Sequence, residues 1–189
     1  MATMDNTDPA ADCEFSRPHG YSFARRGRCV ASQALTPAMS AGAFIPFTSN
    51  AEIAAIGRGV LDLSLPKPRW THAAHFAVAL WLLSCRRDVD VSRAMPEFIR
   101  AYNEATGVAN TDTDGYHETI TQASLGAARN FLLQNLGRSL FMTCNALMAS
   151  PLGKSDWLLA YWSRARLFSV EARRGWVGPD LKPLPWEAG

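Results

Sequence analysis

Three of the chain's four histidines, His72, His75 and His117, fall where imidazole chemistry is expected. His72 and His75 stand three residues apart, and residues at that spacing share one face of a helix. His117 opens a second apolar-periodic segment and is followed directly by Glu118. Three imidazoles with room for water or a carboxylate make a ligand set for a divalent metal, Zn²⁺, Fe²⁺ or Ni²⁺. A helix N-terminus carries partial positive charge, which keeps a histidine neutral and able to coordinate. The same field opposes a bound dication, so an anion is expected nearby, and Glu118 and Asp114 are in place for it. Glu118 is turned by about 100° from His117 around a helix axis, which suits a general base or a fourth ligand. Tyr102 and Tyr116 are the candidates to orient a substrate or donate a proton. Without a metal, His117 and Glu118 would act directly as acid and base. The same rings also suit a structural network, because buried histidines are commonly satisfied by carbonyls, carboxylates or water. No H-E-x-x-H zinc signature is present.

These side chains need helices to bring them together. Ser49-Asn50-Ala51-Glu52 has the form of a capping box, and Ile53, Ile56, Val60 and Leu61 repeat after it at helical spacing. Gly57 and Gly59 weaken that first helix. The stretch Thr71 to Cys85 contains no Asp, Glu, Lys or Arg and is apolar on every side, the pattern of a buried central helix. A third helix is expected from Ser92 to Thr106, with Pro96 in its first turn or so and Gly107 as its stop. A fourth runs from Gly115 to Leu136 with His117 on its inward stripe. Ser139 to Ala149 continues as helix, and Ser155 caps a sixth holding Trp157, Leu158, Tyr161 and Trp162. A short helical piece spans Ser169 to Arg174. No strand pattern appears, so the fold class is all-α, a helical bundle of about five to six helices with short connections. Short connections make neighbours antiparallel. The N-termini of the second and fourth helices then meet the C-terminal end of the third. His72, His75, Tyr102, Tyr116, His117 and Glu118 converge there, beside the loop Asn110 to Asp114.

Composition sets the outer limits. The chain has 189 residues, 48% hydrophobic and 19% charged, with a formal net charge of +2. That describes one helical domain over residues 48–189, preceded by a loosely ordered extension over 1–47. So small a charge excess argues against nucleic acid as a partner. The longest apolar run, Ala73 to Leu83, is interrupted by His75 and too short to span a bilayer. No secretory leader opens the chain, so no membrane association and a cytoplasmic location are expected. The four cysteines contain no C-x-x-C pair, which fits a reducing compartment. Cys85 and Cys144 read as small core residues, and a bridge between Cys13 and Cys29 stays open. His19 and the Arg25-Arg26-Gly27-Arg28 cluster read as solvated. Gly153-Lys154-Ser155 is no phosphate loop, because Met148 stands where its first glycine belongs. The expected partner is a small-molecule substrate, and self-association into a homo-oligomer stays open.

The stretch Trp70-Thr71-His72-Ala73-Ala74-His75, followed by Gly115-Tyr116-His117-Glu118-Thr119-Ile120-Thr121, resembles a small bacterial family. The likeness continues through Arg164-Ala165-Arg166-Leu167-Phe168-Ser169 to Pro185, covering residues 50–185, and it implies no particular reaction. The chain also resembles, more loosely, the DinB-like four-helix bundles. That likeness implies a three-histidine metal site, used in some members for thiol-dependent transfer. Those bundles place a histidine pair at i,i+4 late in the chain, whereas the pair here is at i,i+3 and comes first, so the analogy is one of site. The leading expectation is therefore a metal-dependent enzyme acting on a small molecule, as hydrolase, transferase or oxidoreductase. The alternative is a non-catalytic interaction or structural protein with a buried histidine network.

Overall fold

The structure, a computed structural model, describes residues 44–187. Expectations for His19, Cys13, Cys29, the Arg25 to Arg28 cluster and most of the extension lie outside the described residues. Within them the chain forms α1 (Asn50–Leu61), α2 (His72–Cys85), α3 (Val91–Ala105), α4 (Glu118–Gln134), α5 (Leu140–Ala149), α6 (Arg164–Leu167) and α7 (Val170–Arg174). Short 3-10 turns occupy Lys67–Arg69, Pro151–Gly153 and Trp157–Ala160. No strand occurs among the described residues, and the fold is an all-α bundle. No described helix is long and apolar enough to cross a membrane.

The uncharged helix α2 is the centre. It packs against α1, α3, α4 and α5, and Phe76, Ala77, Val78, Leu80 and Leu82 are fully buried. Thr71 starts it by accepting the Ala74 N–H at 3.3 Å. Trp81 lies against Gly57 of α1, and a Cβ on Gly57 would run into the indole. The glycine that weakens α1 as a helix is thus what lets α1 approach α2. Ser49 caps α1 by accepting the Glu52 N–H at 3.2 Å. The Glu52 carboxylate does not return to Ser49; it accepts the Thr48 N–H at 2.8 Å. The C-terminal end of α3 lies beside the start of α2, with Lys67 Nζ donating to the Thr106 carbonyl at 3.4 Å.

Several boundaries differ from expectation, each for a local reason. α4 begins at Glu118 because Gly115 has φ +74° and His117 is extended and caps the helix. Pro96 is the sixth residue of α3, not part of its first turn. Lacking an N–H, it leaves the Ser92 carbonyl without its helical donor, and Gln122 Nε2 on α4 donates to that oxygen at 3.0 Å. Ser155 caps nothing, and the aromatic segment after it makes only the 3-10 turn Trp157–Ala160. Trp162 is fully buried and donates its indole N–H to the Val177 carbonyl at 3.0 Å. Phe47, placed in the extension by sequence, belongs to the core. Asn145 on α5 accepts the Phe47 N–H at 2.9 Å and donates to the Phe47 carbonyl at 2.8 Å. Cys144 is a buried free thiol whose pKa burial pushes up to about 12. Cys85 is half-buried and packs against the core, and it is disulfide-bonded, whereas Cys144 is fully buried.

Candidate functional site

The turn before α4 is built backbone first. At Gly115 a side chain would collide with the Ala109 carbonyl, and its positive φ suits glycine alone. Asn110 then ties the loop together. Its Oδ1 accepts from Asn103 Nδ2 at 2.9 Å and from the Tyr116 N–H at 3.1 Å, while its Nδ2 donates to the Arg100 carbonyl at 3.2 Å. Arg173 on α7 adds a second clamp, donating to the Gly115 and Tyr116 carbonyls at 3.3 and 3.0 Å.

This turn delivers His117 as the N-cap of α4. Its Nδ1 accepts the Ile120 N–H at 3.4 Å, and its Nε2 lies 2.9 Å from the Leu167 carbonyl. A carbonyl only accepts, so Nε2 carries the hydrogen and Nδ1 does not. The pair of bonds specifies the neutral ring and occupies both nitrogens. Burial, then the Arg173 guanidinium, holds its pKa below the ordinary histidine value. His72 is bound in a similar way, with Nε2 2.9 Å from the Leu152 carbonyl and its ring edge-on to Phe76 at 5.2 Å.

His75 is different. Its ring stacks on Trp70, with centroids 3.8 Å apart and planes 27° from parallel. Neither nitrogen hydrogen-bonds to another described residue. Part of the ring opens onto a cavity, and the rest is enclosed by protein. Burial, then the neighbouring His72, pushes its pKa down to about 4, so it is neutral at pH 7.

The cavity has a volume of about 460 Å³ and lies where α2, α3, α4 and the C-terminal arm, residues 150–187 that follow α5, meet, within the size range of small-molecule pockets. His72, His75, Tyr116 and His117 all border it. Tyr102 does not. It is fully buried, and its hydroxyl donates to the Leu65 carbonyl at 2.8 Å, which ties α3 to the turn before α2. Glu118 is also turned away from the cavity lining. Its Oε2 accepts the Tyr116 hydroxyl at 2.6 Å, and its Oε1 accepts from Gln122 at 2.9 Å. Burial first, then the bond to Glu118, raises the Tyr116 pKa. With Arg100 seated 4.1 Å over its ring, Tyr116 is a wall element, not a ready proton donor.

The outer wall escaped sequence reasoning. Trp157, Leu158, Leu167 and Phe168 close the cavity from the C-terminal side, in a stretch whose helical pattern pointed only to core packing. Ser124 on α4 also borders it. Among the described residues, no group of three or more His, Cys, Asp or Glu side chains is arranged to hold a metal ion. Both His117 nitrogens are already engaged. No protein-family model matches the chain, and no curated protein or solved structure matches it either.

Proposed function

We propose that the protein binds a small organic molecule, without covalent chemistry, in the cavity between α2, α3, α4 and the C-terminal arm. The observation that supports this most is His75. Polar side chains largely enclosed by protein are seldom left without a hydrogen-bond partner, and the half-buried His75 ring, with none among the described residues, borders an open volume of about 460 Å³. His72 and His117 have a supporting role. Each donates to a carbonyl of the arm that walls the cavity, at Leu152 and Leu167. Two of the three histidines are thus engaged with backbone carbonyls, and the third is left for a ligand. A reading in which all three bind Zn²⁺, Fe²⁺ or Ni²⁺ would require His117 to give up its cap or its carbonyl bond.

Protein-observed NMR of the full chain against a set of small aromatic and amide fragments, with and without chelator, tests the reading. Saturable shifts at Trp70, Phe76 and Ser124 that persist in chelator are expected. They should vanish in Ala79→Phe, which fills the cavity from α2. Shifts that map elsewhere would overturn the reading. So would stoichiometric zinc uptake that is lost in both His72→Ala and His117→Ala.

A further inference from the structure

The polarity of the cavity says what kind of molecule it takes. Its interior is apolar and aromatic, with Phe76, Ile99, Leu125 and Trp157 among its walls. The charged residues that border it, Asp156 and Arg164, are both solvent-exposed, and the Arg164 guanidinium rests 5.3 Å from the Phe168 ring centroid. They mark the rim. Among the polar side chains that border the cavity, the His75 imidazole and the Ser124 hydroxyl make no hydrogen bond to another described residue. The stack on Trp70 fixes the plane of the His75 ring, so its nitrogens point in set directions. A neutral imidazole offers one donor and one acceptor and no charge. An ion in such a site would lose its hydration with nothing to replace it.

Resting on the pocket reading above, we propose that the cavity selects an uncharged, planar heteroaromatic molecule whose ring N–H or ring nitrogen hydrogen-bonds to His75. Flat shape is favoured by the aromatic walls, which reward face and edge contacts. Neutrality is favoured because no charged side chain reaches the interior. One polar ring atom is enough to satisfy His75, and a second polar group would fall to Ser124. A ligand with an anionic or cationic tail is accommodated only if that tail extends to the rim.

Calorimetric titration of the full chain with indole, isoquinoline and naphthalene separates the terms. The three are similar in shape; indole presents a ring N–H, isoquinoline a ring nitrogen, and naphthalene neither. At least one heterocycle is expected to bind about tenfold tighter than naphthalene, the worth of one buried hydrogen bond. In His75→Phe that gap should close while naphthalene binding is kept. In His75→Gln, which retains a donor and an acceptor, part of it should remain. The side-chain ¹⁵N resonances of His75 supply a readout independent of folding in the variants, since they should move on adding the preferred heterocycle and stay still with naphthalene. Equal affinities for all three, or unmoved His75 resonances, would overturn the ligand class and leave the pocket reading standing. Failure of all three probes to bind would remove both.

Discussion

At the residue scale, His117 holds two elements at once. It caps α4 through Nδ1 and holds the C-terminal arm through Nε2. His117→Ala removes the cap and leaves the Leu167 carbonyl without its donor. Each loss costs about 1 kcal/mol or somewhat more, so about 2–3 kcal/mol of stability should go in urea unfolding. His117→Asn should recover the capping part alone, because its amide oxygen can cap but is too short to reach Leu167. The same residue and His75 also set an acid limit. Both have pKa values below the ordinary histidine value. Each therefore binds its proton more weakly in the folded chain than in the unfolded one. Stability is complete above the unfolded value of about 6.5 and is lost as pH falls toward the folded values; for His75 that is about 4. The slope contributed by each group is at most about 1.4 kcal/mol per pH unit. Urea midpoints measured from pH 7.5 down to 4.5 should decline, and His75→Phe should flatten the decline. An unchanged midpoint over that range would contradict the lowered pKa values of both rings.

At the element scale, the pairing of α3 and α4 turns on a side chain that stands in for a backbone group. Pro96 lies inside α3, and the Gln122 amide supplies the hydrogen bond to the Ser92 carbonyl that proline cannot. Gln122→Ala should cost about 1–3 kcal/mol, because the carbonyl is left without a donor. In a Pro96→Ala background the helix supplies its own N–H, and the same Gln122 change should cost less. A double-mutant cycle measures that coupling directly. Purely additive effects would mean that Gln122 acts through its bond to Glu118 alone. The α1–α2 contact shows the converse case. There a poor helix former, Gly57, is placed by packing against Trp81, not by any requirement of its own backbone.

At the scale of the whole molecule, the C-terminal arm is what encloses the cavity. It is held at Leu152 by His72 and at Leu167 by His117, and farther on Thr119 donates to the Gly175 carbonyl at 2.9 Å. The Arg174–Asp112 pair at 2.7 Å is exposed and adds little. Stability is not uniform across a fold, and regions tied down by few buried bonds open first. In His72→Phe, amide hydrogen exchange across residues 150–160 should accelerate by about tenfold, the loss of one hydrogen bond, while α1 and the core of α2 keep their protection. Uniform acceleration everywhere would show that the bond supports the whole fold and not the wall.

The sequence by itself determined the five longer helices and most of their core, but not the aromatic segment after Ser155 or the place of Phe47. Charge-free text is buried wherever it lies, so Thr71 to Cys85 had to become the centre. His72, His75, Tyr116 and His117 border one cavity, as the expected arrangement of α2, α3 and α4 suggested. Capping residues such as Ser49 and Thr71 act within a few residues of themselves, so they too were legible. Tertiary structure alone decided what the histidines do. An imidazole is a ligand, a cap, a donor or an open polar face according to which atoms come within about 3 Å of its nitrogens, and those atoms belong to Leu152 and Leu167, far along the chain. The aromatic arm was legible as buried but not as a wall, because helical spacing does not distinguish a residue that fills a core from one that borders a space. Tyr102 and Glu118 shared the right end of the molecule but not the cavity, since their partners, the Leu65 carbonyl and the Tyr116 hydroxyl, are chosen by side-chain direction and not by position along a helix.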